Sequence, residues 1–179
     1  MSKIAIQGIR GSYSEEAALS LEVGAELLEC SNFAETFETL ENERAGYAVV
    51  PVENKIVGGI EGTLQFLRGG RFRILEKTTL SVRHVLAGTP ESSLDNSKTV
   101  TSHIEALKQC QQYLGTRKGC KQIIGDDTAR SIREIVVNGK PTDSAVGSER
   151  AAEMYGAKVL ARDIANDPNN WTTFYLVSK

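Results

Sequence analysis

The sequence has few of the residues that build metal sites or disulfide frameworks. Its three cysteines, Cys30, Cys110 and Cys120, are widely spaced and form no Cys-x-x-Cys pair, so neither a zinc site nor a disulfide framework is predicted. The two histidines, His84 and His103, lie far apart and show no metal-ligand spacing. We therefore expect no bound metal and no cofactor, and free thiols that suit a reducing cytoplasm.

Long apolar runs and a strong charge bias are also absent. No run approaches the ~18 apolar residues that span a bilayer, and the first residues lack the apolar core of a signal peptide. Lys plus Arg is 21 and Asp plus Glu is 23, so the chain as a whole has no attraction for nucleic acid or an anionic membrane. The expected partner is a small molecule, and an anionic one would need locally placed cations.

The 179 residues suffice for one sizeable domain or for two small lobes. Apolar periodicity predicts a long extended stretch over 74–86, which carries the chain out of one lobe, and further short elements. The predicted strands are 4–7, 27–30, 47–51, 98–101, 121–124, 143–146, 158–161 and 172–177. The predicted helices are 12–21, 33–43, 62–67, 103–114, 128–137 and 149–155. This alternation is typical of an α/β fold with mainly parallel sheets and a ligand crevice at the strands' carboxyl ends.

Two polar motifs follow predicted strands in the first part of the chain. Residues 8–15 open a helix, where free N–H groups attract anions, but Ser12 and Glu15 also have the spacing of a capping box, which the residues alone favour. Residues 50–59 place Glu53, Asn54 and Lys55 after a buried strand and before a glycine-rich turn. For this second motif, a substrate-facing role and a solvated loop remain equally open.

A third motif spans residues 101–110. Ser102 and Glu105 have the spacing of another capping box, and a serine at a helix N-terminus can also donate to a carboxylate. Gln109 lies about two helical turns further on. His103 could act as a base, although a lone histidine in a first helical turn more often has no catalytic role.

The last two motifs are rich in capping and turn residues. Asp127 and Thr128 open a predicted helix, where capping is the leading interpretation. Asn170 and Thr172 precede or begin the last strand, where amides and hydroxyls can form turns. No Ser-His-Asp set, P-loop or carboxylate pair stands out, so the residues alone predict only an α/β domain with an anion-binding cleft.

Taken together and in order, these motifs resemble those of the prephenate dehydratase family over essentially the whole chain. Each motif is weak alone, and the match is specific because of their order and spacing. The resembling segments are Gly-x-x-Gly-Ser-Tyr-Ser-Glu at 8–15, Pro-x-Glu-Asn-x-x-x-Gly at 51–58, Val-x-Ser-His at 100–103 with Ala-Leu-x-Gln-Cys at 106–110, Asp-Thr-Ala at 127–129, Ala-Ala-x-x-Tyr-Gly at 151–156 and Asn-x-Thr-x-Phe at 170–174.

The resemblance implies a two-lobed architecture like that of type II periplasmic binding proteins, with the active site between the lobes. We expect lobe 1 to comprise about 1–76 and 165–179, and lobe 2 about 77–164. The family resemblance places catalytic residues at Asn54, Ser102, Gln109 and Thr172. It places substrate-binding residues at Ser12, Tyr13, Glu53, Lys55, Gly58, His103, Thr128 and Thr173.

The implied reaction is the decarboxylative dehydration of prephenate to phenylpyruvate in phenylalanine biosynthesis. Thr172 would donate a hydrogen bond to the departing hydroxyl and stabilise its developing charge. Asn54 and Gln109 would orient the cyclohexadiene ring. Ser102, with the glycine-rich helix end, would hold a carboxylate.

The chain departs from the family motifs at three places. The arginine of Thr-Arg-Phe is Thr173, the serine of Glu-Asn-Ser is Lys55, and the Pro-Gln of the helix motif is replaced at residues 104–105. Losing the arginine removes a bidentate carboxylate clamp. We hypothesise that Lys55 restores part of that positive charge.

Two other readings stay open. One is a non-aromatising prephenate decarboxylase of specialised metabolism, and the other is a non-catalytic binder of a small carboxylate or amino acid. Within the dehydratase interpretation, arogenate could replace prephenate as the substrate. We also expect a homodimer or higher homo-oligomer and, because the sequence stops at Lys179, no phenylalanine-binding ACT domain.

Overall fold

The computed structural model describes residues 3–22 and 24–179. The chain divides into two compact units, the first made of residues up to Val82 together with Asn170–Lys179, and the second of Arg83–Asn169. The chain passes from the first unit to the second after Val82 and returns at Asn170. Both of these crossings lie a few residues later than the lobe boundaries expected near residues 76 and 165. The crossings fall later because the strand that precedes Val82 stays paired in the first sheet up to Ser81.

Eleven strands and seven helices are assigned in the described residues. In chain order they are β1 (Lys3–Gln7), α1 (Tyr13–Leu21), β2 (Glu26–Cys30), α2 (Phe33–Glu41), β3 (Tyr47–Asn54), β4 (Gly58–Gly59), α3 (Glu61–Leu67), β5 (Arg73–Ser81), β6 (Val85–Gly88), β7 (Thr99–Ser102), α4 (Ile104–Gln109), α5 (Gln111–Thr116), β8 (Lys121–Ile124), α6 (Thr128–Asn138), β9 (Asp143–Gly147), α7 (Glu149–Tyr155), β10 (Lys158–Ala161) and β11 (Trp171–Ser178).

The first unit is built on a sheet with strand order β2-β1-β3-β11-β5, and β4 pairs with β3. Its central strands β1 and β3 are buried on both faces, as a sheet covered by helices on both sides requires. Ile4, Ile6 and Val49 pack with α1 residues on one face. Ala5 and Val50 belong to the core of the other face, which α2 covers.

The second unit has a five-stranded sheet in the order β10-β6-β9-β7-β8. Leu86, Val100 and Val146 of its central strands pack against apolar side chains of α4 and α5. Strands β7, β8 and β9 are parallel. Strand β7 is followed by the two helices α4 and α5, β8 by α6, and β9 by α7. The helices α4, α6 and α7 begin directly after these three strands, so their N-termini lie at the same edge of the sheet.

Both sheets are mixed rather than mainly parallel, which corrects the sequence-based expectation. Strand β11 runs antiparallel to β3 and β5, and β6 runs antiparallel to β9 and β10. In the first sheet, the reason is the path of the chain out of this unit and back into it. Trp171, where the chain returns, lies opposite Ser81, where it leaves, so the two strands must run in opposite directions.

Two long predicted elements are broken in the structure. The extended stretch predicted over 74–86 divides into β5 and β6, and the helix predicted over 103–114 divides at Cys110 into α4 and α5. The helix break has a tertiary cause. The side chain of Asn166 accepts from the N–H of Gln112 at 2.9 Å and donates to the carbonyl of Lys108 at 3.2 Å, thereby replacing a helical hydrogen bond.

Two absences concern the described residues only. None of the helices assigned there is long and apolar enough to cross a membrane. Within 3–22 and 24–179, no three His, Cys, Asp or Glu side chains are grouped so that they could hold a metal ion.

Candidate functional site

In the first unit, the carboxyl end of β3 and the start of β11 bring Asn54 and Thr172 together. The two residues lie directly opposite each other in the antiparallel pair. Both side chains are nearly buried, with 7% and 8% of their surfaces exposed. The Nδ2 of Asn54 donates to the Oγ1 of Thr172 at 2.9 Å, so two predicted catalytic residues that lie 118 positions apart in sequence are in direct contact.

The remaining hydrogen bonds of Asn54 hold its carboxamide in one orientation. Its Oδ1 accepts from the main-chain N–H groups of Ile56 and Val57 at 2.9 and 3.1 Å. Its Nδ2 also lies 2.9 Å from the carbonyl oxygen of Trp171 and 3.0 Å from Oδ1 of Asn170. Main-chain N–H groups can only donate, so the oxygen must face the turn and the NH₂ must face β11.

Asn170 is a structural partner of Asn54 that the sequence did not predict. It is 1% exposed, its side chain accepts from Asn54, and its carbonyl accepts from the N–H of Val82 at 2.9 Å. The sequence pattern indicated only a turn former at this position. The one signal available was that Asn170 begins a motif together with Thr172.

The Thr172 hydroxyl accepts a hydrogen bond and has its own hydrogen left to donate. Its oxygen accepts from Asn54, and among the described residues no acceptor is within hydrogen-bond reach of its hydrogen. A hydroxyl carries one hydrogen and two lone pairs. Thr172 can therefore donate to a bound ligand without losing its contact with Asn54.

The glycine-rich turn before α1 forms the predicted helix cap but is occupied by carboxylates of the protein itself. Ser12 is the N-cap residue and its hydroxyl accepts from the N–H of Glu15 at 3.2 Å. The buried Glu15 carboxylate accepts from the N–H of Gly11 at 2.6 Å, and Glu29 accepts from the N–H of Arg10 at 2.8 Å. These two internal carboxylates neutralise part of the positive potential at this helix end, and the expectation that it holds a substrate carboxylate stays a prediction.

The other residues predicted in the first unit have diverse surroundings. Tyr13 is half-buried and packs against the core beside α1. Glu53 and Lys55 are exposed, and the N–H of Lys55 donates to the carbonyl of Trp171 at 3.0 Å. Gly58 has a φ of +80°, a conformation that favours glycine, in the turn that follows Asn54; its predicted contact with the substrate stays a prediction.

Thr173 points its hydroxyl at the neighbouring outer strand. Its Oγ1 lies 3.0 Å from the Oγ1 of Thr79 on β5, and in the β3–β11 register it lies opposite Glu53. Successive residues of a strand face opposite sides of a sheet. Thr173 and Thr172 therefore occupy different faces.

In the second unit, Ser102 does not have its predicted role at the helix N-terminus. It is fully buried at the end of β7 and its hydroxyl donates to the carbonyl of Val146 at 2.7 Å. The N-cap of α4 is His103, whose Nδ1 accepts from the N–H of Glu105 at 3.3 Å. The predicted capping box of Ser102 and Glu105 is therefore wrong, because the strand extends one residue further and uses the serine to join β7 to β9.

Thr128 begins α6, as predicted. The N-cap is Asp127, whose Oδ1 accepts from the N–H of Arg130 at 2.6 Å, which confirms the capping interpretation of this motif. The carbonyl oxygen of Thr128 lies close to Gly147 at the end of β9, where an added Cβ would approach it to 3.1 Å. Thr128 and Ser102 thus lie at the same edge of the second sheet.

Gln109 lies at the end of α4 and is bound to a histidine that the sequence did not connect with it. The Oε1 of Gln109 is 2.9 Å from the Nε2 of His84. Because an amide oxygen only accepts, Nε2 carries the hydrogen. His84 is 3% exposed. Burial lowers the pKa of His84 below its ordinary value of 6.5, and the hydrogen bond with Gln109 partly opposes this shift.

The lowered pKa of His84 predicts that the free energy of unfolding falls at acidic pH. The unfolded chain binds a proton near pH 6.5 while the folded chain resists it, so the contribution of neutral His84 is complete above pH 6.5 and is lost as the pH falls below that value. We expect a lower denaturation midpoint at pH 5.5 than at pH 7.5. In His84→Gln, which cannot titrate, that difference should shrink; an unchanged difference would assign it to other groups.

Cys110, which completes the third motif, is not activated as a nucleophile. It is fully buried at the break between α4 and α5. Burial raises the pKa of its thiol to about 12, so the thiol stays protonated near neutral pH.

Comparison with known proteins identifies the family. The prephenate dehydratase family model matches residues 4–179. Arogenate dehydratase/prephenate dehydratase 1, chloroplastic, of Arabidopsis thaliana is 36% identical over 177 residues, which are 99% of this chain and 45% of that protein. The chain spans about half the length of the curated relatives it matches.

Solved structures agree with the family and with the fold. Prephenate dehydratase from Arthrobacter aurescens in complex with L-Phe has a TM-score of 0.89 at 27% identity, covering 99% of this chain and 60% of that one. GqqA, described as a novel type of quorum quenching acylase, has a TM-score of 0.85 at 29% identity, covering 99% and 64%. The ligand-binding component of an ABC-type import system from Staphylococcus aureus shares the fold alone, with a TM-score of 0.53 at 14% identity over 99% and 65% of the two chains. These matches confirm the predicted α/β, periplasmic-binding-protein-like fold class, and the chain belongs to the prephenate dehydratase family.

Proposed function

We propose that the protein converts prephenate to phenylpyruvate, carbon dioxide and hydroxide. The observation that carries this proposal is the Thr172 hydroxyl, whose oxygen is held by Asn54 at 2.9 Å and whose hydrogen is available to a ligand. Its arrangement is what a reaction with a departing hydroxyl needs. Membership of the prephenate dehydratase family supports the same chemistry.

In the proposed reaction, the bond between the ring and its carboxylate breaks before, or together with, the carbon–oxygen bond to the hydroxyl. Its electron pair enters the ring, the ring becomes aromatic, and the carbon–oxygen bond to the hydroxyl breaks with its electrons on oxygen. Charge therefore develops on the leaving oxygen in the transition state. A hydrogen bond from Thr172 to this oxygen would strengthen as the charge grows, which lowers the barrier rather than only improving substrate binding.

Ser102 and Gln109 of the second unit enter the proposal with different support. Gln109 is oriented by His84 and is proposed to orient the substrate. Ser102 gives its hydrogen to Val146, so we propose that it supports the strand end rather than donating to a carboxylate. Replacing Ser102 should then lower stability before it changes substrate affinity.

Lys55 is proposed to attract the anionic substrate in place of the arginine that the family motif has at Thr173. It is exposed and follows Asn54 directly. We expect Lys55→Ser to raise the KM for prephenate roughly two- to fivefold, as for an exposed charge pair, with kcat little changed. The effect should diminish at high salt.

The matched control for Lys55 is Lys121→Ser. Lys121 is an exposed lysine on β8 of the second unit, and its replacement changes the net charge equally. A KM that is unchanged in Lys55→Ser, or that rises equally in the control, would contradict a local role for Lys55.

A non-aromatising decarboxylase is the second candidate. It would expel carbon dioxide, protonate the ring and keep the hydroxyl. The observation that favours it is at Thr173, where a neutral hydroxyl paired with Thr79 replaces the family's arginine. The retained Thr172 favours the dehydratase, because a leaving-group donor has no use when the hydroxyl stays.

The test is incubation of the purified protein with prephenate and, separately, with arogenate, followed by ultraviolet spectra and mass analysis of the products. Phenylpyruvate from prephenate supports the proposal, and phenylalanine from arogenate would make the amino compound the substrate. A hydroxylated dihydro product would establish the decarboxylase. With no turnover, hydrolysis of acylated amines should be assayed, since one solved relative is described as an acylase, and then the binding of small carboxylates.

Self-association is a further part of the proposal. The outer strands β5 and β8 expose Ile74, Leu75 and Ile124 by 52%, 43% and 68%, and unpaired edge strands are surfaces on which a second copy can pair. Sedimentation analysis at micromolar concentration tests this directly, and a monomer would refute it.

A further inference from the structure

The hydrogen bonds of Asn54 indicate a role different from the one that the family resemblance implies. We infer that Asn54 is a positioning residue that acts on the reaction through Thr172 and does not itself contact the substrate. This inference rests on the proposed function, because it concerns the same reaction. It assigns the orientation of the catalytic hydroxyl to the carboxamide at the end of β3.

The carboxamide of Asn54 has no hydrogen-bonding capacity to spare. Both lone pairs of Oδ1 are matched by the N–H groups of Ile56 and Val57. The two hydrogens on Nδ2 are shared among three acceptors at 2.9–3.0 Å: Thr172 Oγ1, Trp171 O and Asn170 Oδ1. A ligand could reach this amide only by displacing a protein acceptor.

The cost of such a displacement argues against direct substrate contact. Asn54 is 7% exposed, so any donor or acceptor it releases would be left buried without a partner. Its Oδ1 also determines the path of the turn at residues 55–57, because two consecutive N–H groups converge on it. Asn54 is therefore held from both sides before any ligand arrives.

The consequence for Thr172 is directional. The side-chain N–H of Asn54 occupies one lone pair of Thr172 Oγ1, so the hydroxyl hydrogen of Thr172 is turned away from Asn54. A donated hydrogen bond also polarises the hydroxyl and makes it a better donor. If the N–H were replaced by an acceptor, the hydroxyl would turn and donate to that acceptor instead of to the leaving group.

The substitution Asn54→Asp makes this replacement with almost no change in shape. The aspartate keeps an oxygen toward the N–H groups of Ile56 and Val57, so the turn is retained. Its other oxygen offers an acceptor to Thr172 and, whatever residue 172 is, removes the donor to Trp171 O and Asn170 Oδ1. The aspartate also adds a negative charge, which acts on an anionic substrate whatever residue 172 is. A double-variant cycle with Thr172→Val separates these effects, because only the effect through the hydroxyl depends on residue 172.

We expect Asn54→Asp to lower kcat roughly 10²-fold in the wild-type background, a loss comparable to that of one transition-state donor. In the Thr172→Val background the same change should lower kcat by less than about threefold, because the two residues act as a unit. Equal losses in both backgrounds would overturn the inference, because the effect of residue 54 would then not pass through the Thr172 hydroxyl. Asn32→Asp is the charge control; Asn32 caps α2 through its Oδ1, which an aspartate retains.

A second measurement does not depend on turnover. In ¹H–¹⁵N spectra of the whole protein, Thr172→Val should shift the side-chain NH₂ signals of Asn54, and addition of phenylpyruvate to the wild type should leave them nearly unchanged. A large shift on phenylpyruvate binding, or none with Thr172→Val, would contradict the inference. Absence of wild-type turnover would instead refute the proposed function, so the two failures can be told apart.

Discussion

Thr172→Val is expected to lower kcat roughly 10²–10³-fold, the loss that typically follows removal of one donor to a developing oxyanion. Valine has nearly the volume of threonine but no hydroxyl, so the leaving oxygen would lose its hydrogen bond. That bond strengthens only as the carbon–oxygen bond breaks, and KM should therefore change little. Initial rates of phenylpyruvate formation from prephenate measure both constants.

Local structure should tolerate this substitution. Asn54 would lose one acceptor but would still have Trp171 O and Asn170 Oδ1 within 3.0 Å. Thr172→Ser keeps the hydroxyl and should retain most of the activity. The matched control is Thr79→Val, which removes the exposed hydroxyl that pairs with Thr173 on the adjacent strand; it should leave kcat near the wild-type value.

A Thr172→Val variant with a wild-type kcat would mean that the hydroxyl does not assist the leaving group. If that variant also released a hydroxylated dihydro product, the decarboxylase reading would replace the dehydratase. A rise in KM alone would make Thr172 a residue of substrate binding only. Each of these results is distinguishable by product analysis together with the two kinetic constants.

Phe37→Ala is expected to lower the free energy of unfolding of the first unit by about 3–5 kcal/mol, the usual cost of truncating a buried phenylalanine. The ring is 1% exposed. Its centroid lies 4.6 Å from that of Phe66 and 4.8 Å from that of Phe72, so the substitution removes two aromatic contacts and leaves a cavity beneath the sheet.

Denaturant unfolding followed by tryptophan fluorescence measures this effect. The single tryptophan of the sequence, Trp171, begins β11 in the first unit, so its signal reports the unit that contains Phe37. Because two compact units need not unfold together, the midpoint should also be followed by circular dichroism. Ile74→Ala is the control in the same unit, since Ile74 is 52% exposed and its truncation should cost little; equal effects of the two substitutions would show that the ring cluster does not stabilise the unit.

Most helices and strands were predictable because their apolar residues recur with the period of the element. The limits of β8, α7 and β10 agree with the prediction, and those of β1 and α6 differ by one residue. The failures have tertiary causes. Nothing local marks Cys110 as the end of a helix, because the break depends on Asn166, more than fifty residues further along the chain.

The relative direction of paired strands could not be predicted from the sequence for a similar reason. Alternation of strands and helices predicts parallel pairing, and β1, β2 and β3 obey it. Strands β5 and β11 are neighbours in the first sheet but are not joined by a single helix, since the whole second unit lies between them in the chain. Their pairing follows from where the chain leaves and re-enters the first unit.

The sequence by itself determined the family, the α/β class and the types of residue at the candidate site positions, because the order and spacing of motifs are properties of the linear chain. Only the tertiary structure decided which partners those residues bind. In the folded chain, Ser102 donates a hydrogen bond to the carbonyl of Val146 and Gln109 is hydrogen-bonded to His84. The side chain of Asn54 is held between a turn and β11. Hydrogen bonds depend on distance and direction between atoms far apart in sequence, and those quantities exist only once the chain has folded.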